Sequence, residues 1–331
     1  HRDLHSFPTR RSSDLVIMIK TQVLVVGSGP GGYTAAFRAA DLGKEVVLVE
    51  NHDNLGGVCL NVGCIPSKSL LHTAQVINEA KSANQLGVNF ASPKIDIKGV
   101  RKNKEATVNK LTAGINALAK ARKVKVLTGY AKFLSTNQVK LEGTDDIIEF
   151  EHCVIAAGSR VTKLPIFPFE DERVMDSTDA LLLDDIPKRL LIVGGGIIGL
   201  EMAIIYDALG SEITIVELGE QLIPTADKDI INPLFKRIKK IYSNIFLNTK
   251  VTKMTAIKKG IKVSFEGKDA PKTDTFDKVL VSIGRSPNGN LLDAEKAGVT
   301  IDKYGFITTN RQMKTNIRSE ERRVGKECRS R

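Results

Sequence analysis

The sequence predicts an α/β fold with two domains of one kind, each organised around a βαβ unit. A strand, a glycine-rich turn, a helix and a second strand occur twice, starting from the turns at Gly27 and Gly194. Both copies share one internal spacing, because the helix-ending glycines Gly43 and Gly210 and the terminal acids Glu50 and Glu217 lie at equal offsets from those first glycines. The length, 331 residues, suits two domains. The class is therefore α/β with two Rossmann-like dinucleotide-binding domains.

In the first copy an apolar strand from Gln22 to Val26 leads into Gly27, Gly29 and Gly32 in GxGxxG register. A helix then runs through Gly43, and a strand from Val46 to Val49 ends at Glu50. The first glycine permits the tight turn, the second lets backbone approach a pyrophosphate, and the third lets helix pack on strand. The helix N-terminus offers unpaired N–H groups to phosphate, and the terminal acid accepts ribose hydroxyls. In the second copy the strand Leu190 to Val193 precedes Gly194, Gly196 and Gly199, and Ile213 to Val216 ends at Glu217. Glu217 would repel a 2′-phosphate, and Leu218, Gly219, Glu220 and Gln221 supply no arginine to hold one, so NAD is favoured over NADP.

Between the two copies, Gly56 and Gly57 precede Cys59 and Cys64. A regular helix would separate these cysteines by ~7.5 Å along its axis and turn them to different faces. A disulfide wants Cα atoms roughly 4.4 to 6.8 Å apart, so an irregular turn is expected there, and Gly63 permits it. A bridge closing so small a loop serves exchange better than stability. Cys153, in the apolar strand CVIAAG, reads as core. The basic run from Lys98 to Lys125 carries Val100, Val108, Leu111, Ile115 and Leu118 at helical spacing and reads as a helix with a solvated face rather than a nucleic-acid surface.

Two ends stand apart. His1 to Leu15 and Arg318 to Arg331 read as translations of one adapter-like DNA on opposite strands, so both are expected to be non-native. Setting aside their nine basic and five acidic residues lowers the formal charge from +11 to +7, only moderately basic. Cys328 goes with them, and three thiols without a CxxC…CxxC pattern make neither a disulfide framework nor a zinc site. No apolar run approaches the ~18 residues of a membrane span. Met18 is a plausible start that leaves no room for a signal peptide.

The motifs GSGPGG (Gly27 to Gly32), VE (Val49, Glu50), GGVCLNVGCIPSK (Gly56 to Lys68), AAGS (Ala156 to Ser159), GGGIIGLE (Gly194 to Glu201) and SIGRSPN (Ser282 to Asn288) resemble the pyridine nucleotide disulfide oxidoreductases. Ile65, Pro66, Ser67 and Lys68 resemble the branch that acts on lipoamide. The resemblance implies an NAD domain inserted into an FAD domain. The FAD domain would take residues 16–157, the NAD domain 158–284, and 285–317 would return to the first, with AAGS and SIGR at the crossovers. FAD would be held by Gly27, Gly29, Gly32, Glu50, Gly56, Gly57, Cys59, Lys68, Ala131, Gly158 and Ser159. NAD would be held by Gly194, Gly196, Ile197, Ile198, Gly199, Glu217, Val251, Ser282, Gly284 and Arg285. Cys59 would be the interchange thiol of a redox-active Cys59–Cys64 disulfide, Cys64 the thiol beside the flavin, and Lys68 would pair with Glu201. The implied activity is FAD-dependent oxidation of protein-bound dihydrolipoyl groups by NAD⁺ in the cytoplasm. Implied partners are the lipoyl domains of 2-oxoacid dehydrogenase complexes and the glycine cleavage carrier protein, with a homodimer at full length and no nucleic acid, membrane or metal. A related mercuric or glutathione reductase, or a nucleotide-binding subunit without catalysis, are the alternatives. The family's C-terminal His-Glu pair has no counterpart, because none of His52, His72 and His152 has a glutamate in its spacing. A truncated, poorly active chain is therefore expected, since a positioned base contributes roughly 10²- to 10⁴-fold.

Overall fold

The computed structural model describes residues 17–144 and 146–317, so both adapter-like ends lie outside the described residues. The chain divides into two compact units. The first takes its described residues from 17–55, 115–158 and 287–317; the second comprises 56–114 and 159–286.

In the first unit, β1 (Met18–Val26), α1 (Pro30–Asp41) and β2 (Val46–Glu50) form the βαβ unit. The sheet adds β3 (Lys125–Thr128), β4 (Tyr130–Ser135), β5 (Gln138–Glu142) and β6 (Ile147–Ile155) in the order β3-β2-β1-β6-β5-β4. β1 pairs in parallel with β2 and β6, whereas β4, β5 and β6 form an antiparallel meander. Because a strand alternates its side chains, Val23 and Val25 face a core shared with Ala36 and Phe37, while Leu24 and Val26 face another with Phe133 and Ile148. A strand buried on both faces reads as a continuous apolar run, which is why β1 and β2 are so rich in valine.

The second unit begins with α2 (Gly57–Val62) and α3 (Cys64–Ser82). α4 (Ile97–Ala121) starts within it and ends in the first unit. Next come β7 (Ser159–Val161), β8 (Val174–Met175), α5 (Ser177–Leu182), β9 (Arg189–Val193), α6 (Ile197–Leu209) and β10 (Glu212–Val216). They are followed by α7 (Lys228–Ile238), β11 (Asn244–Phe246), β12 (Lys250–Ile257), β13 (Gly260–Glu266), β14 (Thr273–Phe276), β15 (Lys278–Val281) and β16 (Arg285–Pro287). Its parallel sheet has the order β11-β10-β9-β15-β8. One face is covered by α3 and α6, through Leu70, Ala74, Met202 and Tyr206 packed on Leu190, Ile192 and Ile213. The other face packs Leu191, Val193 and Val281 against the antiparallel sheet β12-β13-β14.

The basic run forms the helix α4 with a largely solvated surface, but its few buried positions are not the leucines. Leu111 and Leu118 are 42% and 46% exposed, and the buried positions of α4 are Lys104, Thr112 and Ala119. Among the described residues no helix is long and apolar enough to cross a membrane.

Candidate active site

The two cysteines belong to two helices that meet at a break. Gly56, at φ 110°, turns the chain into α2, and α2 stops at Gly63. Cys64 is then the first residue of α3. A Cβ on Gly63 would stand 2.8 Å from the Val58 carbonyl oxygen and 3.3 Å from Cys59 Cα, so the break closes tightly on the turn that carries Cys59. The structure thus has the irregular turn that the five-residue spacing demands. Both thiols are free, and Cys64 is near enough to act on the Cys59 thiol. Burial, followed by the hydrogen bond and charge of Cys64, pushes the Cys59 thiol up to about 11, against the pull of Lys68.

One turn into α3, Lys68 Nζ donates to Glu201 Oε1 at 2.6 Å across the α3–α6 contact. Ser67 Oγ donates to Glu201 Oε2. Ser67 is buried, so both carboxylate oxygens are held from one helical turn. The hydrogen bond to Glu201 keeps the Lys68 ammonium above its ordinary range, although partial burial acts against it. No local signal in the sequence marks Ser67, whose partner lies 134 residues away.

Each unit repeats the same turn geometry. In the first, Gly27 has φ 95° and a Cβ there would meet the Ala156 carbonyl oxygen at 2.3 Å, while one on Gly32 would meet the Gly27 oxygen at 1.7 Å. In the second, Gly194 has φ 107° with the Ser282 oxygen 2.4 Å from such a Cβ, and Gly199 meets the Gly194 oxygen at 2.2 Å. The acids match too. Glu50 Oε2 accepts from the backbone N–H and hydroxyl of Ser28, and its Oε1 accepts from Asn51 N at 2.8 Å and His52 N at 3.1 Å. Glu217 Oε2 accepts from Gly195 N at 2.6 Å and Oε1 from Gly219 N at 2.7 Å.

The remaining expected positions sit near these turns within their own units. Gly129 N donates to Glu50 O at the end of β2, and buried Ala131 follows two residues after Gly129. Thr249 N donates to Glu217 O, two residues before Val251, whose side chain is buried in the core. Ile197 opens α6 and is exposed, with Ile198 half-buried beside it. In the second unit Arg285 Nε donates to Ser159 Oγ at 2.8 Å and Nη2 to Ser159 O at 2.5 Å, joining the two crossover motifs. Gly158 and Gly284 both have positive φ. Cys153 packs against the first unit's core, and burial pushes its thiol up to about 12.

Residues 21–319 match the pyridine nucleotide-disulphide oxidoreductase family. The chain belongs to this family. Members work with FAD and a nicotinamide dinucleotide. The chain is 54% identical over 302 residues to the dihydrolipoyl dehydrogenases of Vibrio cholerae and Haemophilus influenzae, covering 90% of itself and 63% of each relative. It thus spans less than two thirds of the length of these curated relatives. Among solved structures it is similar to the HOCl-induced flavoprotein disulfide reductase RclA from Escherichia coli in its copper(II) complex. There the TM-score is 0.79 at 27% identity, over 91% of this chain and 64% of that one.

The two glycine turns fit the family's dinucleotides. A Cβ on Gly29 or Gly196 would meet nothing within 4 Å, which leaves open space in front of each helix. α1 and α6 have no side-chain cap, so their first N–H groups are left to a phosphate. A carboxylate offers about four acceptor positions. Glu217 uses two of them, and Glu50 would free one for a ribose by exchanging the Ser28 hydroxyl, its one rotatable donor.

Proposed function

We propose that this chain is the FAD- and NAD-binding part of an enzyme that oxidises protein-bound dihydrolipoyl groups with NAD⁺. The observation that carries the reading is the thiol pair itself: Cys59 in α2 and Cys64 at the start of α3, brought together at the Gly63 break so that Cys64 acts on the Cys59 thiol. A dihydrolipoyl thiolate attacks the oxidised Cys59–Cys64 pair at Cys59, and the mixed disulfide resolves to a cyclic disulfide on the substrate and two thiols on the enzyme. Two electrons move to the protein sulfurs, and the two protons of the substrate thiols go to the protein thiols or solvent. Bound FAD and NAD⁺ supply the acceptors that reoxidise the dithiol. Cys64 is assigned to the flavin side, and the Lys68–Glu201 pair to the control of charge at its reactive edge.

Burial and Cys64 push the Cys59 thiol well above its ordinary range, so it is held mostly protonated near neutral pH. Such an interchange thiol works only with a base, which gives a reason for the His-Glu pair the family carries. FAD is assigned to the first glycine turn and NAD to the second, with residues 16–157 and 285–317 as the FAD domain and 158–284 as the inserted NAD domain. The two acceptor positions open on Glu217 among the described residues, with no arginine in the four residues after it, support NAD over NADP. The 54% identity to dihydrolipoyl dehydrogenases supports lipoyl domains of 2-oxoacid dehydrogenase complexes and the glycine cleavage carrier as partners, a homodimer at full length, and work in the cytoplasm.

The test is anaerobic two-electron reduction of the flavin-loaded gene product. A long-wavelength absorbance band should form with NADH far better than with NADPH, and should vanish in Cys64→Ser. Its absence in the parent, or its persistence in the variant, overturns the reading; preference for NADPH favours the related disulfide reductases.

A further inference from the structure

Behind the dithiol helix lies a cavity of about 170 Å³ that the proposed chemistry does not use. Its walls come from α2 and α3 (Asn61, Pro66), α4 (Lys104, Val108) and α5 (Thr178, Leu181). Lys104 is 6% exposed, yet its ammonium is poorly satisfied. Nζ donates to the Leu181 carbonyl oxygen at 2.8 Å, and the nearest carboxylate, Glu105, stands 4.0 Å away, beyond hydrogen-bond reach. A lysine has three donors, so two lack an acceptor among the described residues. Arg101, one turn earlier on the helix, is already held by Asp184 at 3.1 Å. A buried ammonium so placed is costly until further acceptors reach it.

We propose that this cavity binds a short-chain carboxylate, its oxygens accepting from Lys104 Nζ and its alkyl tail lying on Pro66, Val108 and Leu181. The volume is well under the roughly 300 Å³ at which drug-sized pockets begin, which limits the ligand to a few carbons. A carboxylate takes charge-assisted hydrogen bonds that a neutral molecule of the same shape does not. Asn61, between the two cysteines, lines the same cavity and is joined to α4 through Thr112 at 3.4 Å. Occupancy therefore bears on the helix that carries Cys59.

Butyrate is the probe, with butanol as its uncharged counterpart, and binding to the full chain is read by calorimetry. Saturable butyrate binding, at least tenfold tighter than butanol and weakened at least tenfold in Lys104→Met, is the expected result. No saturable binding, or equal binding of butanol, overturns the proposal. Should the variant fail to fold, the pH profile of the parent decides. Burial lowers the pKa of Lys104, Arg101 adds to that, and Glu105 and Asp184 oppose it; Asn61, Val62 and Pro66 bring no ionisable side chain. Affinity must then fall as alkaline pH discharges the ammonium, and a flat profile overturns the proposal. None of these readouts involves flavin or nicotinamide, so this idea and the proposed redox function fail separately.

Discussion

Gly63 carries more of the candidate site than its lack of a side chain suggests. Its would-be Cβ meets backbone, at the Val58 carbonyl oxygen, and backbone cannot swing aside as a side-chain tip does. Gly63→Ala should force the α2–α3 break open, destabilise the protein by about 1 to 3 kcal/mol as overpacking does, and slow formation of the Cys59–Cys64 disulfide under a glutathione buffer. Denaturant unfolding and thiol titration measure the two effects, and unchanged bridge formation would remove the break from the account of the site. Cys59 gives the second prediction. Its proton is held by burial and by Cys64, so its thiolate should still be accumulating well above pH 9, where an ordinary thiol is already largely ionised. The iodoacetamide alkylation rate of Cys59, followed by mass spectrometry, should keep rising through pH 9 to about 11. A plateau near pH 9 contradicts the burial that raises it.

The two glycine turns separate folding from binding at the level of the element. Gly27 and Gly194 abut carbonyl oxygens of the neighbouring crossover, while Gly29 and Gly196 face open space. Gly27→Ala, with φ 95° and an oxygen 2.3 Å from the new carbon, should cost about 1 to 3 kcal/mol and lower the melting temperature. Gly29→Ala should change stability by less than about 1 kcal/mol, yet weaken FAD by about tenfold or more, because the methyl stands where phosphate approaches. Equal effects of the two substitutions, measured by thermal melting and flavin fluorescence, would show that the open space is not a phosphate cradle. The same local logic explains what was legible in the sequence. Strand, glycine turn, helix cap and acid are bound to short spacings, so the βαβ units can be read with no knowledge of the rest of the chain. The cysteine break was legible for the same reason, since helix pitch alone excludes a regular helix. The burial of α4 was not. Its apolar residues sit at helical spacing, yet Lys104 and Thr112 are buried while Leu111 and Leu118 are exposed, because burial depends on α5 and α2, which touch α4 from far along the chain. Ser67–Glu201 and Ser159–Arg285 escaped for that reason too, as their partners lie 134 and 126 residues apart.

Each unit has a sheet with its own two cores, and this sets what a bound nucleotide can stabilise. The first unit's apolar clusters draw only on residues from its own segments, around Leu24 and Val47 on one face and Val25 and Leu48 on the other. The second unit's clusters do likewise around Ile192 and Leu191. A ligand stabilises the state it binds by RT ln(1 + [L]/Kd), about 2.7 kcal/mol at a hundredfold excess over Kd. That stabilisation slows amide exchange in the cooperative region whose opening releases the ligand. FAD should therefore slow exchange by about 100-fold in peptides spanning β1 to β2, with far less effect on β9 to β10, and NAD⁺ should do the reverse. The prediction is sharp because the two regions share fold, glycine register and terminal acid, so neither composition nor strand content tells them apart. What separates them is the carboxylate. Among the described residues Glu50 has all its acceptor positions filled, through Ser28, Asn51 and His52, whereas Glu217 keeps two open. On the proposed assignment, FAD binding displaces a hydroxyl that NAD⁺ binding need not. Ser28→Ala should then speed FAD association without changing NAD⁺ association, as stopped-flow fluorescence of each ligand measures. Protection of one and the same unit by both nucleotides would end the assignment of one cofactor to each turn.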